Sequence, residues 1–236
     1  MKQLKIVYCF QKKLAMNELI FLLHIFLLIV MTLGCLKLGE TALSAFIILM
    51  GICSNLFVLK QINLFSLNVT AADAYAICGI FSLNLMQEYF GKEKAKNLIF
   101  LNFFVMVIFG ILCLVHTHYS PSLFDETNAS YTKILSHSPR IIAASLVSYF
   151  ISQKLDLFLF GNFRRKLFKN FIVLASVFST ALSQLIDTLI FSFLALYGHM
   201  NSLTEVILFS LTIKYITIFC MSPVMNLSKK IMRTAC

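Results

Sequence analysis

The sequence predicts an all-α, polytopic integral membrane protein with six to seven transmembrane helices. Two observations lead to this fold class. Of the 236 residues, 59% are hydrophobic and only 13% are charged, a proportion that a soluble domain of this length could not bury. The hydrophobic residues also form long runs, and the basic residues behind the net charge of +10 are clustered between those runs. Such clusters are typical of cytoplasmic loops and do not indicate a nucleic-acid-binding surface.

Seven apolar runs are suitable for spanning helices, because about 20 residues cross the hydrocarbon core of a bilayer. The runs are 19–36, 41–59, 72–90, 95–115, 140–160, 171–197 and 205–225. We therefore expect a single transmembrane helical domain over residues 19–225. A basic N-terminal segment (1–18) precedes this domain, and a basic cytoplasmic tail (226–236) follows it.

The loops between the runs predict how the chain is oriented. Loops 91–97 and 161–170 are basic, as is the C-terminal tail, whereas the long loop 116–139 carries Asp125 and Glu126. Because positively charged loops tend to remain in the cytoplasm, we expect the C-terminus inside the cell and the long loop outside.

Counting seven helices back from a cytoplasmic C-terminus places the N-terminus outside, although residues 1–15 contain four lysines. Two explanations remain open. Met16 can be the true start, so that residues 1–15 are an over-predicted beginning, or the run 19–36 does not span the membrane. We favour the first explanation, because Met16 is followed directly by Asn17, Glu18 and an unbroken apolar run.

An internal repeat marks the most informative part of the chain. Residues 148–160 (SYFISQKLDLFLF) and 179–191 (STALSQLIDTLIF) agree at an offset of 31. The shared pairs are Ser148/Ser179, Ser152/Ser183, Gln153/Gln184, Asp156/Asp187 and Phe160/Phe191. Helical spacing gives each copy one polar stripe, and consecutive spanning helices run antiparallel, so the stripes can face each other. The stripes are Tyr149, Gln153 and Asp156 in the first copy, and Thr180, Gln184, Asp187 and Phe191 in the second. Carboxylates within a bilayer usually line a cavity or a substrate path, so we expect the site here.

Two other runs carry polar residues. The third run contains Asp73, Asn84 and Glu88, and the seventh contains Lys214 near its middle. Because a charged ammonium group is costly at this depth, we expect Lys214 to have a carboxylate partner. Asp73 and Asn84 share a helix face but lie about 16 Å apart along the helix axis. One small ligand could hardly contact both residues, so we expect the ligand near Asn84 and not near Asp73.

Some of these candidates also have a purely structural interpretation. Glu88 could form an ion pair with Lys92 on the next helical turn. Asp156 could pair with one of three nearby cations: Lys154, Arg164 or Arg165. We therefore expect Asp187 to lie deeper in the protein than Asp156 and to matter more for function.

Several common motifs are absent from the sequence. It contains no P-loop (G-x-x-x-x-G-K-[ST]), no H-E-x-x-H and no G-x-S-x-G, so it indicates neither an ATP-driven motor nor a common hydrolase. The five histidines are scattered and the seven cysteines show no paired spacing. We therefore expect no metal site, no disulfide framework and no cofactor.

Residues 54–104 resemble the first signature of the queuosine precursor transporter family, which lies within the vitamin uptake transporter group. Residues 139–160 together with 179–191 resemble the second signature, including its S-Q-x-x-D-T-x-I-F segment. Lys214 and Pro223 match a Lys and a Pro in the last helix of the family.

The resemblance implies an inner-membrane carrier, not an enzyme, that imports 7-deazaguanine bases such as preQ0, preQ1 or queuine for tRNA modification. Together with the polar stripes, it implies the substrate-binding residues Asn84, Glu88, Tyr149, Gln153, Asp156, Gln184, Asp187, Phe191 and Lys214. Carboxylates and amides can bind the polar edge of such a ring, and aromatic side chains can stack on its faces. Asn84 stands where the family usually has Asp, and we expect this departure to alter the choice among bases.

Other functions remain open at this point. The chain could be the substrate-binding subunit of an ATPase-driven importer of a vitamin-like solute, with an ATPase module as its partner. It could also be a membrane enzyme that uses Asp187 and Glu88 as an acid–base pair. Gln153 and Gln184 could join helices by hydrogen bonds rather than contact a ligand. We expect the small base and membrane lipid as partners, and we expect no nucleic-acid partner.

Overall fold

The computed structural model describes residues 2–58, 60–65, 67–70, 72–135, 139–197 and 203–233. Within these residues the chain forms nine α-helices, one β-hairpin and two short π-helical turns. The helices are α1 (Lys2–Leu38), α2 (Glu40–Leu56), α3 (Ala72–Phe90), α4 (Lys92–Thr117), α5 (Asn128–Leu135), α6 (Pro139–Asn162), α7 (Ile172–Phe191), α8 (Leu203–Met221) and α9 (Pro223–Arg233). The strands are β1 (Gln61–Leu64) and β2 (Leu67–Thr70), and the π-helical turns are Phe163–Leu167 and Ser192–Leu196.

The seven predicted apolar runs coincide largely with α1, α2, α3, α4, α6, α7 and α8. Within the described residues, four helical stretches are long and apolar enough to cross a membrane: Met16–Leu38, Lys92–Thr117, Ile172–Ala195 and Val206–Met232. The segment Glu40–Leu56 is apolar but shorter. The all-α, multi-pass architecture is confirmed, and the number of six to seven spans stays a prediction.

Helix α3 lies at the centre of the bundle. Every residue from Ile77 to Gln87 is buried, which requires neighbouring helices on all sides. By contrast, α1 and α4 expose large apolar side chains such as Phe26, Phe104 and Leu112. Such broad apolar surfaces suit contact with lipid rather than with water.

Single glycines connect two pairs of helices. Gly39 separates α1 from α2 and Gly91 separates α3 from α4, with φ angles of 105° and 100°. Only glycine adopts this backbone conformation without steric strain, so the chain can reverse direction between two helices within one residue. The basic segment 91–97, expected as a loop, is therefore helical from Lys92 onward.

The β-hairpin between α2 and α3 was not expected in an all-α fold. Its antiparallel register pairs Gln61 with Thr70 and Leu64 with Leu67. The segments QINL and LNVT alternate apolar and polar residues, which is the strand period, but the surrounding apolar runs mask this short signal. The buried side chain of Leu64 anchors the hairpin to the bundle.

The long loop 116–139 contains a short helix, α5, that was also not expected. Asp125 caps its N-terminus, because one carboxylate oxygen accepts hydrogen bonds from the amide and hydroxyl of Thr127 (both 2.8 Å) and from the Asn128 amide (3.1 Å). The bonds from Thr127 hold the pKa of the exposed Asp125 carboxyl below its usual value.

Side-chain contacts show that successive helices alternate in direction. Asn17 of α1 donates a hydrogen bond to the carbonyl of Asn63 in β1 (3.0 Å) at one end of the bundle. Glu40 at the start of α2 forms an ion pair with Lys94 at the start of α4 at the other end. We call these the hairpin end and the basic end. The basic end carries Lys37, Lys92, Lys94, Lys96, Arg164, Arg165, Lys166, Lys169, Lys229 and Lys230.

The expected C-terminal tail is helical as far as the structure describes it. Helix α9 begins at Pro223, a residue suited to the first position of a helix, and it packs at the basic end. Val224, Met225 and Ser228 are buried, and the Ser228 hydroxyl lies 2.9 Å from the hydroxyl of Tyr89 at the end of α3.

Candidate functional site

The internal repeat forms a reciprocal pair of contacts across α6 and α7. The Ser152 hydroxyl donates to Asp187 Oδ1 (3.3 Å), and the Ser183 hydroxyl donates to Asp156 Oδ1 (3.4 Å). Each serine that begins S-Q-x-x-D on one helix thus binds the aspartate that ends the motif on the other. This arrangement confirms that the two helices are antiparallel and that their polar stripes face each other.

A cavity of about 200 Å³ opens between the helices near the hairpin end. Four of the predicted site residues line it, namely Tyr149, Asp187, Phe191 and Lys214. Asp73, at the start of α3, lines it as well. The cavity therefore combines three charged groups with two aromatic rings.

Lys214 has the carboxylate partner that the sequence predicts. Its Nζ lies 2.8 Å from Asp187 Oδ2 and 3.0 Å from the Thr188 hydroxyl. Only 8% of the Lys214 side chain and 18% of the Asp187 side chain are exposed. At this burial an unpaired ammonium would be costly, so Lys214 and Asp187 depend on each other across the contact between α7 and α8.

The structure places Asp73, and not Asn84, on the cavity wall. Asp73 is close enough to Lys214 and Asp187 to interact with both electrostatically. Asn84 lies about three helical turns further along α3 and has no exposed surface. Asn84 therefore does not line this cavity, although the sequence predicts the ligand near it. The cavity opens at the hairpin end of α3.

Asn84 belongs instead to a buried polar cluster between α3, α6 and α7. Its side-chain amide donates to the hydroxyls of Ser176 (2.9 Å) and Thr180 (3.4 Å). Asp156 lies in the same cluster, beside Ser183. All five side chains are fully buried.

Asp156 differs from its prediction in two respects. It is fully buried whereas Asp187 is partly exposed, so Asp156 is the deeper carboxylate. It also has no ion pair with a nearby cation among the described residues. Lys154 lies over the rings of Phe100 and Phe150, 4.5 and 4.2 Å from their centroids, and so points away from the cluster.

Gln153 and Gln184 are buried beside the two aspartates. In the described part of the chain, no group donates a hydrogen bond to the Oε1 atom of either glutamine. The same holds for Asn84 Oδ1 and Asp156 Oδ2. Buried acceptors without donors are unusual in proteins, and these four, together with Gln87 Oε1, lie on helices that also form the cavity.

Glu88 lies at the basic end and does not reach the cavity. It accepts two hydrogen bonds from Arg164 Nε (both 3.0 Å) and one from Nη2 (2.7 Å). Glu88 thus pairs with Arg164 rather than with the alternative partner Lys92, because the guanidinium offers the better forked geometry. Glu88 and Asp187 also have separate cationic partners at different ends of the bundle, which argues against an acid–base pair.

Sequence reasoning missed several polar residues around the cavity. Asn55 and Ser145 line it and are joined by a hydrogen bond of 3.1 Å. Asn102 of α4, buried against Gly51, donates to the Tyr149 hydroxyl. An isolated Asn within an apolar run was the signal that could have identified Asn102.

Comparisons with known proteins agree with this architecture. A family described as "Putative vitamin uptake transporter" matches residues 71–228, which include every predicted site residue. A Bacillus subtilis (strain 168) protein named "Probable queuosine precursor transporter" is 27% identical over 161 residues, or 68% of this chain and 70% of that protein. No solved structure matches the chain.

The family match extends from α3 to α9 and covers well over half of the chain. It includes the repeat in α6 and α7, the Asp187–Lys214 pair and the central helix α3. The chain therefore belongs to the vitamin uptake transporter family, and it is a multi-pass membrane transporter rather than an enzyme.

Proposed function

We propose that this protein imports queuosine precursors, 7-deazaguanine bases such as preQ0, preQ1 or queuine, across the inner membrane. The observation that carries the proposal is the cavity that holds the Asp187–Lys214 pair beside Tyr149 and Phe191. This cavity lies in the segment that matches the transporter family, and the Bacillus subtilis relative is named for queuosine precursors.

The chemistry of the cavity suits a 7-deazaguanine ring. The ring presents an N–H and an exocyclic amine side by side, and a carboxylate such as Asp187 can accept from both. Its oxygens have further lone pairs beyond those used by Lys214 and Ser152. The Lys214 ammonium and the Tyr149 hydroxyl can donate to the ring carbonyl, and Phe191 offers a face for stacking.

The buried acceptors beyond the cavity supply a route for the base. Gln153, Gln184, Asn84 and Asp156 lie on the helices that continue from the cavity toward the basic end, and each has an oxygen that accepts from no donor in the described residues. A base rich in N–H groups could exchange its contacts from one acceptor to the next. We propose that these four residues bind the base during its passage rather than in the open cavity.

The Glu88–Arg164 ion pair closes the route at the basic end. By the positive-inside rule this end faces the cytoplasm, so the C-terminus is cytoplasmic and the cavity faces outward. The described conformation is therefore that of a carrier ready to receive substrate from outside. Release into the cytoplasm requires the contacts around Glu88 to open.

Uptake of labelled preQ1 or preQ0 into proteoliposomes that contain only the purified chain tests this proposal. We expect saturable uptake, and Asp187→Asn should reduce it at least tenfold, which corresponds to about 1.4 kcal/mol. Glu126→Gln, which alters an exposed carboxylate at the hairpin end, is the matched control and should behave as wild type.

Failure of the folded protein to take up any 7-deazaguanine base would contradict the proposal. Uptake in cells that is lost in proteoliposomes and restored by a separate ATPase module would instead support the role of a substrate-binding subunit.

A further inference from the structure

The charges in the cavity do not balance. Among the described residues that line it are two carboxylates, Asp73 and Asp187, and one cation, Lys214. Lys214 lies within ion-pair distance of Asp187 and also donates to the Thr188 hydroxyl. One negative charge, that of Asp73, is therefore in surplus on the wall formed by α3.

Burial opposes a negative charge on Asp73, and the position of this residue offsets part of that cost. It lies in the first turn of α3, where the helix dipole stabilises a negative charge. Lys214 contributes a further favourable interaction from across the cavity. An anionic group on a partly dehydrated wall attracts a cation strongly, since the field is less screened there than in water.

Substrate charge distinguishes the known types of 7-deazaguanine base. A nitrile at C7 is neutral, whereas an aminomethyl group, like the side chain of lysine, is protonated near neutral pH. The C7 substituent lies on the five-membered ring, away from the N–H and amine edge that Asp187 is placed to bind. One base can therefore present a polar edge to α7 and its C7 substituent to the opposite wall.

We propose, on the basis of the proposed function, that Asp73 binds the protonated aminomethyl nitrogen of the substrate. The cavity then selects bases with a cationic C7 substituent, such as preQ1 and queuine, over the neutral nitrile base preQ0. This assigns the choice of substrate to Asp73 in the first turn of α3 rather than to Asn84 in the buried cluster.

Competition for uptake of labelled preQ1 tests the inference. In the wild-type protein, unlabelled preQ1 should compete at least tenfold better than unlabelled preQ0. In Asp73→Asn, which keeps the size of the side chain, the two bases should compete within about threefold of each other, through weaker binding of preQ1. Asp73→Glu keeps the charge and should retain the preference, and Glu126→Gln should leave it unchanged.

Two results would overturn the inference and leave the proposed function intact. One is equal competition by unlabelled preQ0 and unlabelled preQ1 for uptake of labelled preQ1 in the wild-type protein. The other is an unchanged preference in Asp73→Asn, which would indicate that a proton or a metal cation balances Asp73. Absence of uptake for every base, by contrast, would remove the proposed function and this inference with it. The wild-type comparison stands even if a variant fails to fold.

Discussion

The Asp187–Lys214 pair allows a quantitative test, because the two halves of the pair can be removed separately and together. At 2.8 Å the attraction is about 6 kcal/mol for an effective dielectric constant near 20, and desolvation of both groups offsets most of it. Removing one partner leaves the other charge buried without its ion-pair partner. Because Asp187 is partly exposed to the cavity, we expect Lys214→Met or Asp187→Asn to cost about 3 kcal/mol, the lower end of the range for such pairs.

For a protein of this size, about 3 kcal/mol corresponds to a decrease in Tm of roughly 6–12 °C, measured by thermal aggregation of the purified protein in detergent. The double variant Asp187→Asn/Lys214→Met removes both charges and should recover most of that loss, although its uptake should remain low. Lys94→Met is the control, because it breaks the exposed pair with Glu40 and should cost less than about 1 kcal/mol. A double variant no more stable than the two single variants would refute this account of the pair.

Three further predictions concern orientation, the buried carboxylate and the closed end. A cysteine that replaces the fully exposed Leu123 should react with a membrane-impermeant thiol reagent added to intact cells. A cysteine that replaces Lys166 should not react, and the reverse pattern would contradict the proposed orientation. Asp156→Asn should leave Tm nearly unchanged, because Asp156 has no ion pair among the described residues and an amide oxygen can still accept from Ser183; a loss above about 5 °C would reveal a charged partner. Glu88→Gln, which weakens the contact with Arg164, should speed labelling of the cysteine at position 166 in inverted vesicles, and unchanged labelling would argue against closure at this end.

The candidate site shows where helical periodicity is a reliable guide and where it is not. Spacing placed Gln153 with Asp156 and Gln184 with Asp187 on facing stripes, and the two Ser–Asp contacts confirm that the stripes meet. Spacing says nothing about how wide the gap between two helices is at each level. The α6–α7 contact is closed around Asp156 and open beside Asp187, and this difference depends on which other helices pack there.

Partners across the bundle were equally hard to predict from local sequence. Glu88 has Lys92 one turn away, yet it binds Arg164, which is 76 residues further along the chain. The π-helical turn that contains Arg164 brings its guanidinium to the end of α3. Nothing in the spacing of residues within one helix could indicate this contact.

By itself, the sequence determined that the protein is a bundle of membrane-spanning helices with an antiparallel repeat, because apolar run length, charge clustering and helical period are local properties. It also indicated that Lys214 needs a carboxylate, since a buried ammonium is costly whatever surrounds it. Only the tertiary structure decided that this carboxylate is Asp187 and that Asp73 shares its cavity while Asn84 and Asp156 are enclosed. A helical pattern specifies the face on which a residue lies, but its depth and its neighbours depend on how several helices pack at the same level.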